Sequence, residues 1–267
     1  MLGRMSNPYQ SIARGEPGTI GWRIHYFEEL SSTQDLASQL AEQGAEQGIA
    51  VIAETQSAGH GRLGRQWYSP PGLNLYVTII LRPRPALSAL GSLNLMAGVA
   101  AAEAIETVAP GIVALKWPND VWLRRKKTGG ILAKALSDGS QISCVLLGIG
   151  LNLNLRSKDI PDDLQRIATS VQIETGVECD RSAVAAVLFS RLDTRYTEMQ
   201  KHGFASIRPL WERYSALAGK EVTVTDHGKP LSGVVKGIDD EGALILETKA
   251  GTARVLSGDV SVVGAYD

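Results

Sequence analysis

The stretch Gln56-Ser57-Ala58-Gly59-His60-Gly61-Arg62-Leu63-Gly64-Arg65-Gln66-Trp67 sets three glycines, two arginines and a tryptophan between two apolar, strand-like runs, residues 49–53 and 73–81. Glycines let the backbone turn at positive φ and let a ligand approach, while arginines add fixed charge and forked donors. The spacing Gly59-x-Gly61-x-x-Gly64 also matches the dinucleotide fingerprint, which requires that the loop open a helix and that an acid follow about 20 residues on. Ser69-Pro70-Pro71-Gly72 comes next instead, which stops a helix, and residues 82–90 hold no acid. The segment therefore reads as strand, loop, strand, with arginine charge rather than a helix end available to an anion. A surface hairpin loop with incidental arginines fits these residues as well.

Around this loop the chain divides by periodicity. Residues 22–27 alternate like a strand, and Ser32 and Thr33 offer hydroxyls for a helix cap ahead of residues 36–45. In residues 73–81, Leu75, Val77, Ile79 and Leu81 share one face. Ser88 is placed to cap a helix in which Leu90, Leu93, Ala97, Ala100, Ala101, Ala104 and Val108 recur at helical spacing, ended by Pro110-Gly111. Short strand-like runs follow at 113–117, 121–123, 131–136 and 142–149, parted by Pro118-Asn119-Asp120, a basic connection and Ser137-Asp138-Gly139-Ser140. The expected assembly is α+β, a mixed sheet of about five to seven strands with helices on one face. Asp180 caps an amphipathic helix with Val184, Leu188, Leu192, Tyr196 and Met199 as its stripe and Gly203 at its end, and a shorter helix occupies residues 206–217. From Gly219 the texture becomes short strands at 222–224, 233–235, 243–246 and 260–262, divided by Asp226-His227-Gly228, Asp239-Asp240-Glu241-Gly242 and Ala250-Gly251. That predicts three parts: a frayed leader over residues 1–21, a main domain over 22–218 and a small SH3-sized β domain over 219–267.

Composition narrows the function classes. Lys+Arg 27 against Asp+Glu 28 gives a net charge of −1, which argues against a protein built to coat nucleic acid or an anionic membrane. Two distant cysteines and four scattered histidines supply no zinc-type cluster and suit a reducing cytoplasm. The first 21 residues lack the apolar core of a signal peptide.

Three further clusters carry charge or amides. Lys116-Trp117-Pro118-Asn119-Asp120 groups a cation, an amide and a carboxylate around a turn; Lys127-Thr128-Gly129-Gly130-Ile131-Leu132 sets a cation beside two glycines; Gly148-Ile149-Gly150-Leu151-Asn152-Leu153-Asn154 ends an apolar run in asparagines. Each alone also suits a plain turn or strand end. Together, with Ser32-Thr33-Gln34 and the glycine loop, in this order and spacing, they resemble the biotin protein ligases over nearly the whole chain from Trp22.

The resemblance implies an α/β catalytic domain related to class II aminoacyl-tRNA synthetases, followed by an SH3-like C-terminal domain. It implies that biotin and MgATP give biotinoyl-5′-AMP and pyrophosphate, and that the acyl group then passes to a lysine of a biotin carboxyl carrier domain. By similarity, Ser32, Thr33, Gln34, Gln56, His60, Gly61, Arg62 and Lys127 would surround biotin, and Arg62, Arg65, Trp67, Lys116, Asn119, Asp120 and Asn152 would serve ATP. Arg62, Lys116, Asp120 and Lys127 would be catalytic, with Asp120 orienting or deprotonating the attacking lysine and touching Mg2+. Two positions depart from the family pattern. His60 stands where the loop usually has an arginine, and Gln34 where an asparagine is usual. Residues 1–21 are too few for the helix-turn-helix of repressor-type members, so specific DNA binding is not expected, nor is a membrane partner; monomer and homodimer both stay open. The alternatives are a lipoate ligase of the same fold, whose arginine-rich, glycine-run signature is absent, and a non-catalytic carrier-binding module, against which the intact Arg62, Lys116, Asp120 and Lys127 argue.

Overall fold

The computed structural model describes residues 7–12, 16, 19–83, 90–138, 141–226 and 229–262. The expected cap at Ser88 and the turn residues Gly139, Ser140, His227 and Gly228 lie outside them. Strand β1 (Ile24–Leu30) leads through helix α1 (Thr33–Glu42) to β2 (Ala50–Gln56), which lies parallel to it; β3 (Leu75–Leu81) then pairs antiparallel with β2. Helix α2 (Leu90–Glu106) precedes two hairpins, β4 (Val113–Lys116) with β5 (Asp120–Leu123) and β6 (Lys126–Asp138) with β7 (Gln141–Leu151). The seven strands run in the order β1-β2-β3-β7-β6-β5-β4. Only the β1–β2 pair is parallel, because only it is joined by a helical crossover.

Helices cover both faces of this sheet, not one as the sequence suggested. Ala37 and Ala41 of α1 pack with Val51, Ile80 and Leu146 on one side. On the other, α2 and the later helices meet Ile52, Val77, Ile79, Leu147 and Ile149. Strand β3 is consequently buried along its whole length. Its expected face of Leu75, Val77, Ile79 and Leu81 joins the larger core, while Ile80 points to the smaller one.

Beyond β7 come the short helix α3 (Val171–Thr175), then α4 (Arg181–His202) and α5 (Arg208–Tyr214). The Asp180 side chain caps α4 by accepting from the Ser182 and Ala183 amides, and Gly203, at φ 74°, closes it. The stripe predicted from spacing, Val184, Leu188, Leu192, Tyr196 and Met199, is buried. Five antiparallel strands complete the chain: β8 (Glu221–Asp226), β9 (Lys229–Ile238), β10 (Leu244–Thr248), β11 (Gly251–Val255) and β12 (Asp259–Val262), in the order β11-β10-β9-β8-β12. Strand β11 went unanticipated, since Thr252, Ala253 and Arg254 show little apolar alternation.

The described part of the N-terminal stretch is packed rather than frayed. Tyr9 is 1% exposed, and its hydroxyl accepts from Arg181 Nη1 at 3.3 Å. The same guanidinium nitrogen reaches Glu54 Oε2 at 2.8 Å and the Asn74 carbonyl at 3.1 Å. Among the described residues no helix is long and apolar enough to cross a membrane.

Candidate active site

A cavity of about 420 Å3 opens between the C-terminal end of β2, the β4–β5 turn, the first half of β6, the end of β7 and the edge strand β12. Every residue proposed from sequence lines it: Ser32, Thr33, Gln34, Gln56, His60, Gly61, Arg62, Arg65, Trp67, Lys116, Asn119, Asp120, Lys127 and Asn152.

One end is a network of neutral polar groups. Ser32 caps α1, its hydroxyl accepting from the Gln34 amide at 3.1 Å. Gln56 Oε1 accepts from both the Thr33 amide (2.9 Å) and its hydroxyl (3.1 Å), while Gln56 Nε2 donates to Ser69 Oγ at 3.0 Å. Thr78, which the sequence reading passed over, is fully buried with its hydroxyl 2.9 Å from that of Thr33. Gln34 Nε2 donates to the Leu132 carbonyl at 2.7 Å and lies over Gly148. These bonds fix which end of each amide faces the cavity, which suits a compact neutral ligand with its own donors and acceptors.

The other end is charged. Arg62 Nη1 donates to Asn119 Oδ1 at 3.3 Å and to the Gly258 carbonyl at 3.4 Å, and it lies 3.8 Å from Asp259 Oδ1. Arg65 pairs with the same carboxylate. Lys127 Nζ is 2.6 Å from Asp120 Oδ1 and 5.3 Å from the Trp67 ring. Lys116 sits over Trp122, 5.1 Å from its ring centre. Burial holds the Lys116 ammonium below the usual lysine range, against the opposing pull of Asp120. Asn119 Nδ2 donates to the Ile131 carbonyl at 2.8 Å, which ties the β4–β5 turn to β6. Four cations thus share one volume with two carboxylates, a surplus that favours an anionic ligand.

Between the two ends lies an apolar wall. The Trp67 indole covers Gly130 and Gly150, and its Nε1 is buried without a hydrogen-bond partner. Leu155, Ile160, Leu164, Ile167 and Ala168 continue the wall. Their segment is held against β6 where Lys127 donates its amide to the Ile167 carbonyl and Thr169 returns a bond to the Lys127 carbonyl, each at 2.8 Å. Asn152, 6% exposed, donates to the Thr169 carbonyl at 3.1 Å, so its amide anchors this segment from the cavity's edge. Neither the segment nor Asp259 was legible as part of a site.

The glycine loop itself is no helix. A 3-10 turn at Arg62–Gly64 puts Leu63 at φ 55°, and Trp67 donates its amide to the Gly59 carbonyl at 2.8 Å. Among the described residues no group of three or more histidines, cysteines or acids is placed to hold a metal.

A cavity with a neutral polar network, an apolar wall and a cluster of cations suits a small polar molecule together with an anion such as a nucleotide. Comparison with known proteins agrees. Residues 26–152 match the Biotin/lipoate A/B protein ligase family and residues 218–263 the Biotin protein ligase C terminal domain. The chain is 37% identical to the bifunctional ligase/repressor BirA of Bacillus spizizenii, over 91% of this chain and 75% of that protein. It is 34% identical to a biotin acetyl-CoA-carboxylase ligase of Paracoccus denitrificans, over 79% of this chain and 88% of that one. A solved structure of the Aquifex aeolicus biotin protein ligase, in complex with biotin and ATP, superposes with a TM-score of 0.80 at 30% identity, covering 90% of this chain and 98% of that one. The chain belongs to the biotin protein ligase family.

Proposed function

We propose that this protein joins biotin to ATP as biotinoyl-5′-AMP and transfers the acyl group to a lysine of a biotin carboxyl carrier domain. The observation that carries the reading is the single cavity in which the Thr33–Gln56–Gln34 network meets Arg62, Arg65, Lys116 and Lys127. The ureido ring of biotin is neutral and hydrogen-bonding, and matches the first group. The Aquifex aeolicus protein, whose fold this chain shares, was solved with both biotin and ATP.

In the first step the biotin carboxylate attacks the α-phosphorus, a P–O bond forms and pyrophosphate leaves. Two anions must meet, so fixed cations lower the barrier by balancing charge that concentrates in the transition state. Arg62 and Lys127 are assigned to the carboxylate and α-phosphate, and Arg65 and Lys116 to the leaving phosphates. The Trp67 indole and the apolar segment from Leu155 to Ala168 suit a purine face. In the second step the carrier lysine's amine attacks the acyl carbon, AMP leaves, and the amine's proton goes to Asp120, which Lys127 holds in place at 2.6 Å.

Mg2+ fits as a companion of the nucleotide rather than a resident ion. Asp120 offers one carboxylate, and magnesium at phosphates commonly takes one or two with water and phosphate oxygens completing the shell. When bound it would neutralise phosphate charge. The name of the Paracoccus denitrificans relative points to acetyl-CoA carboxylase as the source of the carrier domain.

Exchange of labelled pyrophosphate into ATP tests the first step. It should depend on added biotin and not on lipoate; exchange driven by lipoate, or none with either acid, would refute the assignment. Transfer to a purified carrier domain, lost when its target lysine is changed to arginine, tests the second.

A further inference from the structure

Asp35 lies in the first turn of α1, and none of the roles assigned above uses it. Its Oδ1 is 2.9 Å from His60 Nε2, with side chains 43% and 44% exposed. The contact spans 25 positions in sequence and joins an anchored element to a weakly anchored one. Helix α1 is fixed to the sheet through buried Ala37 and Ala41. The glycine loop has little apolar anchorage, since Leu63 at its tip is 73% exposed. Its other side is held by the pairing of Arg62 and Arg65 with Asp259.

We infer that Asp35 is a positioning residue that latches the glycine loop over the cavity through its hydrogen bond to His60. A hydrogen bond to a charged group is the stronger kind, and this one ties a loop that little else anchors to a helix that the core fixes. The other charged groups around His60 are accounted for. On the loop, Arg62 and Arg65 turn to Asp259 of β12. Across the cavity Lys127 holds Asp120, and Lys116 lies over Trp122. At the end of β1, Glu28 and Glu29 are exposed. The consequence for retention of an acyl-adenylate rests on the function proposed above; the latch itself does not.

The test is amide hydrogen exchange over residues 57–68 in the ligand-free protein, corrected for intrinsic rates. A half-exposed pair changes an equilibrium by about two- to fivefold. Native protein should therefore exchange about two- to fivefold more slowly than Asp35→Asn. His60→Arg should keep its protection. An acid in the first turn also favours the helix itself, so Asp35→Asn is repeated in a His60→Ala background. There it should change nothing further, whereas an undiminished effect would assign Asp35 to the helix alone and overturn the latch. Equal exchange of native and Asp35→Asn would overturn it too. Biotin-dependent pyrophosphate exchange by the native protein separates the two readings, because its absence would count against the ligase function and leave the loop result standing.

Discussion

A methyl group on Gly150 would sit 2.6 Å from Trp67 Nε1 and 2.7 Å from Cε2, so this position admits no side chain while the indole lies where it does. Trp67 is on a half-buried loop and can swing away, whereas the β7 backbone cannot. Gly150→Ala should therefore displace the indole rather than unfold the sheet. We expect pyrophosphate exchange to drop by at least about tenfold, roughly the loss of one good contact in the transition state, with a melting temperature within a few degrees of native. A large fall in melting temperature with unchanged activity per folded molecule would refute this. Lys116 offers a second test. Because burial lowers its pKa, the ammonium gives up its proton at a lower pH than an exposed lysine would, and its charge is present below that point and lost as pH rises through it. The alkaline limb of kcat/KM for ATP should fall below the ordinary lysine range in the native protein and move to higher pH in Lys116→Arg. An identical limb in both would detach it from Lys116.

At the scale of elements, the Arg181 guanidinium ties three parts of the chain together: the N-terminal turn through Tyr9, β2 through Glu54 and the start of β3 through the Asn74 carbonyl. Tyr9→Ala should cost about 3 kcal/mol, in the range for deleting a buried aromatic, by urea unfolding. Burial pushes the Tyr9 hydroxyl up to about 12, so the folded state resists ionising it; stability present below the ordinary tyrosine range is lost as pH climbs toward that value. Tyr9→Phe should flatten that alkaline loss, and an unchanged slope would show that the phenol is not responsible. Nothing in residues 7–12 announced this docking, since Tyr9 and Ile12 in so short a stretch make no periodic pattern. By contrast α4 was legible, because a stripe of five residues from Val184 to Met199 and a capping aspartate leave few alternatives. The same reasoning explains the uneven reading of the site. Motif residues close in sequence, such as Lys116 to Asp120, could be grouped by inspection. Asp259, which meets Arg65 across 194 positions, could not, and the turn-rich wall from Leu155 to Ala168 carries no period at all. Helix α1 was expected on the same face as the other helices because its buried residues, Thr33, Gln34, Ala37 and Ala41, do not say which sheet face they cover.

For the molecule as a whole, the two sheets share one apolar core. Val222, Val224, Val235 and Leu244 of the C-terminal strands belong to the same cluster as Leu93, Met96 and Trp211. Trp117, at the bend between β4 and β5, donates its indole N–H to the Gly242 carbonyl at 3.0 Å, and that glycine fits against Leu95 and Phe204. Asp259 carries the connection on to Arg62 and Arg65. The C-terminal sheet is thus a wall of the site as well as a cover for the sheet that builds it. Removing residues 219–267 would expose Trp117, Phe204 and Leu95 to water and free the two loop arginines. Burying one such side chain contributes about 1.5–3 kcal/mol, and several together approach the whole stability of a domain. We therefore expect a single calorimetric transition for the full chain, with equal van't Hoff and calorimetric enthalpies, and a truncated chain that aggregates or melts far below it. Two separate transitions, or a truncated chain that melts like the intact one, would show that the two sheets are energetically independent. If so, Asp259→Ala in the intact chain would still report whether the C-terminal sheet orders the loop, since it removes the ion pairs and leaves the shared core in place.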